Sequence, residues 1–310
     1  MRVIVTGGAG FIGRHLVRGL LHIGSNVLVI DVDDGFQEGS LVSSKLVFHR
    51  ANVVDDGLYN DIKDDWRDAD AIVHLAAIVS VEEATANPRL AYNVNVSGTM
   101  NMLEIARRLD IDRFILASSA AVYGEPVIIP IPENHPLRPL NFYGETKLLA
   151  ERLVDAYSRL YGVRGVSLRI FNVYGPGMRG GYYAGVVYKF IQAMLNDRAP
   201  VVYGDGRQTR DFIYVEDVVD SIIKALRTDV TGPVNIGSGR ETSIIELYNI
   251  LCKIAGRCRK PVHDKPRQGD VKRSVADITK AKTLLNWNPS TPLEEGLKTT
   301  YKHYKHRTTS

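Results

Sequence analysis

Short apolar runs alternate with helical patterns through the first half of the chain. Six runs of five to seven residues are rich in Val, Ile, Leu and Phe: RVIVT, NVLVI, KLVFH, AIVHLA, RFILASS and GVSLRIF. Runs that are apolar almost throughout are typical of parallel strands buried on both faces. The order predicts an α/β fold, namely a Rossmann-type doubly wound parallel sheet.

The regular alternation ends after residue 171. Glycine-rich and tyrosine-rich loops (VYGPGMRGGYYAG and VVYGDGRQTRDF) then surround a helical stretch, and a short strand (PVNIGSG) and two helical patterns follow. We therefore predict a Rossmann domain over residues 1–171, to which later segments can return. Residues 172–310 are predicted to form mainly a smaller C-terminal α/β lobe for substrate.

Two helical segments have more apolar surface than a single sheet contact needs. Apolar residues lie almost all round the segment from Tyr92 to Leu109, and the segment from Tyr143 to Tyr161 has a broad apolar face. We expect both helices to pack against their copies in a homodimer, as a four-helix contact.

Composition and charge narrow the class of protein. The chain has 310 residues, of which 45% are hydrophobic, and its formal net charge is only +4. No Lys/Arg run interleaved with aromatics indicates a nucleic-acid surface, and no apolar stretch is long enough to span a membrane. No signal peptide is evident, and Cys252 and Cys258 suit two structural thiols in a reducing cytoplasm, although a disulfide between them is possible.

A glycine-rich stretch follows the first strand directly. VIVTGGAGFIG places Gly7, Gly10 and Gly13 at the start of a helical pattern. Glycine allows the backbone to approach a pyrophosphate, and the helix N-terminus offers free N–H groups to it. Asp31 lies 18 residues after Gly13, at the end of the second strand. A carboxylate at this place accepts hydrogen bonds from the ribose hydroxyls of the cofactor and repels a 2′-phosphate. The stretch predicts an NAD site.

A tyrosine and a lysine four positions apart occur three times, as YGETK, YNDIK and YKHYK. The context selects the first copy, Tyr143 and Lys147, because Ser119 ends the fifth predicted strand 24 residues earlier. Free tyrosine has a pKa of about 10, and a neighbouring ammonium favours its phenolate form. Ser119, Tyr143 and Lys147 are therefore the predicted catalytic residues, and no metal site is predicted.

The chain resembles the extended short-chain dehydrogenase/reductases of the NAD-dependent epimerase/dehydratase family. Within it, the chain is most similar to the nucleotide-sugar branch typified by the UDP-glucose (UDP-galactose) 4-epimerases. The motifs that carry the resemblance are TGGAGFIG, HLAA, NVNVSGT, ASSAAVYG, YGETK, LRIFNVYGP, RDFIYVEDV and RQGDV.

The resemblance implies roles for residues outside the triad. The predicted cofactor-binding residues, besides Tyr143 and Lys147, are Gly7, Gly10, Phe11, Ile12, Gly13, Asp31, Asn52, Val53, Leu75, Ala76, Ala77 and Asn95. The predicted substrate-binding residues, besides Ser119 and Tyr143, are Asn172, Tyr203, Arg210, Arg267 and Ser274. Val79 stands where some relatives have a basic residue, so part of the pyrophosphate contact is expected from elsewhere.

The reaction implied by the resemblance is NAD-dependent 4-epimerisation of a UDP-hexose, with UDP-galactose and UDP-glucose as substrates. Dehydratase and decarboxylase relatives place acidic residues after the catalytic hydroxyl, whereas this chain has Ala120 and Ala121, which cannot transfer protons. Three alternatives stay open: UDP-glucuronate 4-epimerisation, in which Arg179 could approach the carboxylate, another nucleotide-sugar oxidoreduction, and non-catalytic nucleotide-sugar binding.

Ser274 sets an expectation about substrate size. It lies seven residues after Arg267, where 4-epimerases restricted to glucose and galactose have a bulky tyrosine beside the sugar 2-position. A serine leaves room for an N-acetyl group, so UDP-N-acetylhexosamines are expected to be sterically permitted.

Overall fold

A seven-stranded parallel sheet forms the centre of the molecule. The computed structural model describes residues 1–33, 43–181, 184–266 and 270–308. From one edge of the sheet to the other, the strands are β11 (Gly232–Ile236), β6 (Arg164–Ile170), β5 (Arg113–Ser119), β4 (Ala71–His74), β1 (Arg2–Thr6), β2 (Asn26–Asp31) and β3 (Leu46–Arg50). The six apolar runs of the sequence are β1 to β6, and the predicted doubly wound parallel sheet is confirmed.

Helices cover both faces of this sheet. One face carries α1 (Phe11–His22), α8 (Val215–Ala225) and α10 (Thr279–Leu284), and the other carries α2 (Leu58–Trp66), α5 (Gly98–Arg108) and α6 (Phe142–Tyr161). Two short helices, α3 (Val81–Ala86) and α4 (Pro88–Tyr92), lead into α5. Apart from the edge strand β3, the strands are largely buried because each face has its own apolar core.

A smaller lobe has a separate core. Its helices are α7 (Val186–Leu195), α9 (Ile244–Ala255) and α11 (Leu293–Thr308). Its strands pair in twos: β7 (Asn172–Tyr174) with β10 (Phe212–Tyr214), β8 (Val201–Tyr203) with β13 (Val262–Asp264), and β9 (Thr209–Arg210) with β12 (Thr242–Ser243). The division of the chain at residues 171 and 172 stays a prediction, since β11, α8 and α10 return from the second part to the central sheet.

Two local features differ from the expectations. The segment from Tyr92 to Leu109 is not one regular helix, because Asn93–Ser97 form a π-helical turn between α4 and α5. Cys252 and Cys258 are joined in a disulfide rather than standing as two thiols, with their Cα atoms 5.4 Å apart. Among the described residues, no helix is long and apolar enough to cross a membrane.

Candidate active site

A cleft of about 580 Å³ opens at the carboxyl ends of β1, β2, β4 and β5. Ligands bind at this edge of doubly wound sheets, where the connections on the two sides of the sheet diverge. The predicted cofactor residues lining it are Gly7, Gly10, Phe11, Ile12, Gly13, Asp31, Asn52, Val53, Leu75, Ala76, Ala77, Tyr143 and Lys147. Ser119 lines it as well. The structure therefore brings all but one of the predicted cofactor residues together.

The glycine-rich loop fits a dinucleotide because it leaves no room for side chains. Gly7 has φ +68°, and a Cβ there would lie 2.6 Å from the backbone nitrogen of Ala76. A Cβ on Gly13 would collide with the carbonyl of Gly7. The loop therefore lies close against the β4 turn and the start of α1, with the helix N-terminus directed at the cleft, as a pyrophosphate requires.

Asp31 closes the other side of this loop. Its carboxylate accepts hydrogen bonds from the backbone N–H of Ala9 at 2.9 Å and of Asp33 at 3.1 Å. These bonds hold the acidic group at the end of β2, where it lines the cleft. A carboxylate fixed at this place suits the two ribose hydroxyls of NAD and disfavours the 2′-phosphate of NADP.

Asn95 lies behind the cleft lining. Its side-chain amide accepts from the Ile78 N–H at 2.7 Å and donates to the Ile78 carbonyl at 3.0 Å and to Thr146 Oγ1 at 2.9 Å. The residue is only 2% exposed. The amide expected to face the cofactor instead joins the loop after β4 to α6.

The triad is positioned by a strand end and a capped helix. Ser119 is the last residue of β5, and α6 begins after Asn141, whose side-chain oxygen accepts from the Gly144 N–H at 2.9 Å. Lys147 Nζ donates to the Ala117 carbonyl at 2.9 Å and lies 6.0 Å from the Tyr143 ring centroid. The three side chains therefore meet at the end of β5.

The protonation of the triad is controlled mainly by desolvation. Burial lowers the pKa of Lys147 to about 8, opposed by the Glu151 carboxylate. Burial also raises the pKa of Tyr143, while the hydrogen bond with Ser119 lowers it. Burial therefore disfavours the phenolate of Tyr143, whereas the expectation was that the neighbouring Lys147 ammonium favours it. A positive charge from the nicotinamide would favour the phenolate further.

A buried ion pair supports the catalytic helix from behind. Arg169 on β6 bonds the Glu151 carboxylate on α6 with its Nη2 atom at 2.7 Å, and the two side chains are 3% and 7% exposed. Ser118 Oγ also donates to Glu151, at 2.5 Å. These contacts fix β5, β6 and α6 to one another one helical turn beyond Lys147.

Four of the predicted substrate residues, Asn172, Tyr203, Arg210 and Ser274, lie outside the lining of the cleft. Asp211 organises three of them: its carbonyl accepts from the Asn172 backbone N–H at 3.0 Å, and its fully buried carboxylate accepts from the Ala276 N–H at 3.1 Å. Arg210 is the preceding residue, and Ser274 is buried two residues before Ala276. Asn172, Arg210 and Ser274 are therefore held by one buried side chain and its backbone.

Arg210 is held by further contacts, whereas Tyr203 is partly exposed. Arg210 donates to the Val271 carbonyl at 2.6 Å and pairs with Asp270. Tyr203 is the partly exposed last residue of β8. Arg267 lies outside the described residues, so its role as the second phosphate arginine stays a prediction.

Several residues that line the cleft were not predicted from the sequence. Val173 lies on β7, and Met178, Arg179 and Gly185 lie in the segment after it. The others include Ile78, Leu90, Val94 and Phe171. Ile78 could have been found, since it continues the turn after β4. The residues after Tyr174 gave no signal because they belong to an irregular loop.

The sequence model of the family described as GDP-mannose 4,6 dehydratase matches residues 4–300. The chain belongs to this family. The resemblance to NAD-dependent epimerases and dehydratases, and the expectation that the chain is an enzyme, are thereby confirmed.

Curated relatives differ in the reaction that their names give. The chain is 41% identical over 300 residues to a putative UDP-glucose 4-epimerase of Methanocaldococcus jannaschii, covering 96% of each chain. It is 35% identical over 311 residues to UDP-glucuronic acid decarboxylase 1 of Xenopus tropicalis, covering 98% of this chain and 72% of the relative.

Solved structures with the same fold are named as sugar epimerases. UDP-glucose 4-epimerase from Thermotoga maritima with UDP-glucose has a TM-score of 0.92 and 34% identity over 100% of both chains. UDP-N-acetylglucosamine 4-epimerase from Methanobrevibacter ruminantium has a TM-score of 0.91 and 32% identity, covering 99% of this chain and 98% of that one. A variant UDP-glucuronic acid 4-epimerase from Bacillus cereus with NAD has a TM-score of 0.89 and 31% identity, covering 99% and 100%.

Proposed function

We propose that the protein is an NAD-dependent 4-epimerase of UDP-hexoses that interconverts UDP-galactose and UDP-glucose. The observation that carries the proposal is the triad of Ser119, Tyr143 and Lys147 in a dinucleotide cleft without a carboxylate beside it. Among the described residues of the lining, the only carboxylates are Asp31 and Asp33, at the end of β2. The expected cytoplasmic location stays a prediction.

The position of these carboxylates argues against elimination and decarboxylation. Asp31 follows a strand three places away from β5 in the sheet, which at a spacing of about 4.8 Å per strand is on the order of 14 Å. Ala120 and Ala121, directly after Ser119, have no group that transfers a proton. A dehydratase needs an acid and a base besides the tyrosine, whereas an epimerase does not.

The chemistry requires only a reversible proton transfer from this chain. NAD, when bound in the cleft, would supply the reversible hydride chemistry at C4 of the sugar. Tyr143 takes the proton of the 4-hydroxyl and returns it, and Ser119 hydrogen-bonds the same oxygen. Lys147, anchored on the Ala117 carbonyl, supplies positive charge beside the phenolate. The sugar passes through a 4-keto form, and no net oxidation occurs.

Incubation with UDP-galactose should give UDP-glucose without net formation of NADH. The substitution Tyr143→Phe should lower kcat by at least about a hundredfold, because a general base typically contributes that much, and should change KM little. Sugar products are measured by chromatography and NADH by absorbance. Steady NADH production would identify a dehydrogenase, and equal, very slow conversion by parent and variant would identify a binding protein.

Arg179 does not favour uronates. It was the residue expected to approach a sugar carboxylate, but its guanidinium contacts Ala9 and Asp33 at the ends of β1 and β2. The sugar is expected two to three strands away, beside Ser119 and Tyr143. UDP-glucuronate therefore stays an alternative without a contact that supports it, and incubation with UDP-glucuronate tests it.

Ser274 supports acceptance of N-acetylated sugars. The neighbouring Arg273, which could have filled the space, instead makes two 2.7 Å hydrogen bonds to the Glu241 carboxylate. We expect kcat/KM for UDP-N-acetylglucosamine within about tenfold of that for UDP-glucose, and a loss of at least about tenfold for the N-acetylated sugar alone in Ser274→Tyr. Ser274→Ala is the control, since it keeps the space. Rejection of the N-acetylated sugar by the parent would contradict the proposal.

A further inference from the structure

One loop after β7 reaches the cofactor cleft and is held at two of its backbone carbonyls. This loop, residues 175–181, is called the clasp below. His15 on α1 donates from Nε2 to the Pro176 carbonyl at 2.8 Å, and Tyr304 on α11 donates to the Met178 carbonyl at 2.7 Å. The clasp is thus anchored to the central sheet domain and to the lobe, and both Met178 and Arg179 line the cleft.

Arg179 contacts the glycine-rich loop itself. Its Nη2 atom donates to the Ala9 carbonyl and to Asp33 Oδ2, both at 2.9 Å. The side chains of Arg179 and Asp33 are 44% and 43% exposed. Ion pairs as exposed as this one contribute at most about 1 kcal/mol, so the pair alone does not account for the position of the arginine.

The charges of the cleft lining indicate a role for Arg179 besides its pair with Asp33. Among the described lining residues, the cations are Lys147 and Arg179. Lys147 is fixed at the end of β5, whereas Arg179 lies at the glycine-rich loop, where a dinucleotide places its diphosphate. Val79, which also lines the cleft, supplies no charge. Arginine suits this position because its forked donors can contact Ala9 and a phosphate oxygen together.

We propose that Arg179 binds the diphosphate of NAD and that the clasp retains the cofactor throughout turnover. The proposal rests on the proposed cofactor but not on the identity of the sugar. Retention matters in an epimerase, since the hydride must return to the sugar from the same NAD molecule. The clasp couples this retention to the substrate lobe, because the residues that precede it form β7, which begins with Asn172.

The test measures release of NAD from the purified holoenzyme into an excess of an NAD-consuming enzyme. Arg179→Ala should release NAD about tenfold faster than the parent, the change expected for one charge-assisted hydrogen bond. Arg179→Lys, which keeps the charge, should lie between them. Arg259→Ala is the matched control, since Arg259 forms a similarly exposed pair with Asp197 at 2.7 Å and does not line the cleft.

Salt distinguishes a charge contact from a loss of loop structure. NaCl should accelerate release from the parent and have a weaker effect on Arg179→Ala, because screening acts on a charge that the variant lacks. Equal release rates in parent and Arg179→Ala, or equal salt dependence, would overturn the role of Arg179. Activity on UDP-galactose is measured separately, so a protein that retains NAD through Arg179 but converts no UDP-hexose would refute only the proposed reaction.

Discussion

At the scale of single residues, Ser119 controls how readily Tyr143 becomes a base. Its hydrogen bond lowers the pKa of Tyr143, against the burial that raises it. Ser119→Ala removes the stabilisation of the phenolate, so the pKa of Tyr143 should rise. Because the base is the phenolate, the rising limb of kcat/KM against pH should move to higher pH. The pH profile of UDP-galactose conversion measures this shift.

A matched variant separates this role from simple orientation. Ser119→Thr keeps the hydroxyl and should keep the limb near its original pH. If Ser119→Ala lowers the rate by the same factor at every pH, the serine orients the substrate and does not adjust the proton affinity of Tyr143.

Residues that follow a strand directly could be predicted, whereas those in irregular loops could not. Gly7 directly follows β1, Asp31 and Ser119 end β2 and β5, and all three line the cleft. Asn95 was predicted to face the cofactor. Helical periodicity does not show that Asn95 lies in a π-helical turn, or that its side-chain amide bonds Ile78 and Thr146. Arg179 lies in a loop without periodicity, so only the tertiary structure shows that it contacts Ala9 and Asp33.

At the scale of elements, the contact between α6 and β6 depends on a buried ion pair. Burial alone would lower the pKa of Arg169, but the Glu151 carboxylate raises it overall. Glu151→Gln would leave the guanidinium buried without its counter-charge, and the free energy of unfolding should fall by about 3–5 kcal/mol. Urea denaturation followed by circular dichroism gives this difference.

The same helix provides the control. Asp155 pairs with Arg159 at 3.1 Å on its exposed face, where both side chains are more than half exposed. Asp155→Asn should change the free energy of unfolding by less than about 1 kcal/mol. A loss of that small size in Glu151→Gln as well would show that the buried pair is not a main support of α6.

The pattern of apolar residues predicts where strands and helices lie in the sequence better than it predicts which of them pack side by side. PVNIGSG was predicted as a short strand of the second half, from which segments could return to the Rossmann domain, and as β11 it pairs with β6 at the edge of the central sheet. A strand of five residues shows that it is buried but not which strand it lies beside. A Cβ on Gly98 would lie 2.6 Å from a methyl group of Val53, so the start of α5 packs closely against the residues after β3.

At the scale of the whole molecule, α5 and α6 leave apolar side chains uncovered. The two helices pack side by side on one face of the sheet. Met100 on α5 is 41% exposed, and Leu149, Leu160 and Tyr161 on α6 are 43%, 67% and 54% exposed. Burial of such side chains against a second copy would remove them from water at about 25 cal/mol per Å². The surface therefore supports the predicted homodimer.

We expect light scattering to show a dimer at micromolar concentration. Leu149→Glu should shift the protein to the monomer, because a charge at the centre of an apolar contact loses its hydration without gaining a partner. Leu149 is already partly exposed in the single chain, so the substitution should leave the fold intact. Leu284→Glu, at a residue 48% exposed on α10, is the control and should remain dimeric. A parent protein that is monomeric at this concentration would rule out the four-helix contact, and a dimeric Leu149→Glu would place the interface elsewhere.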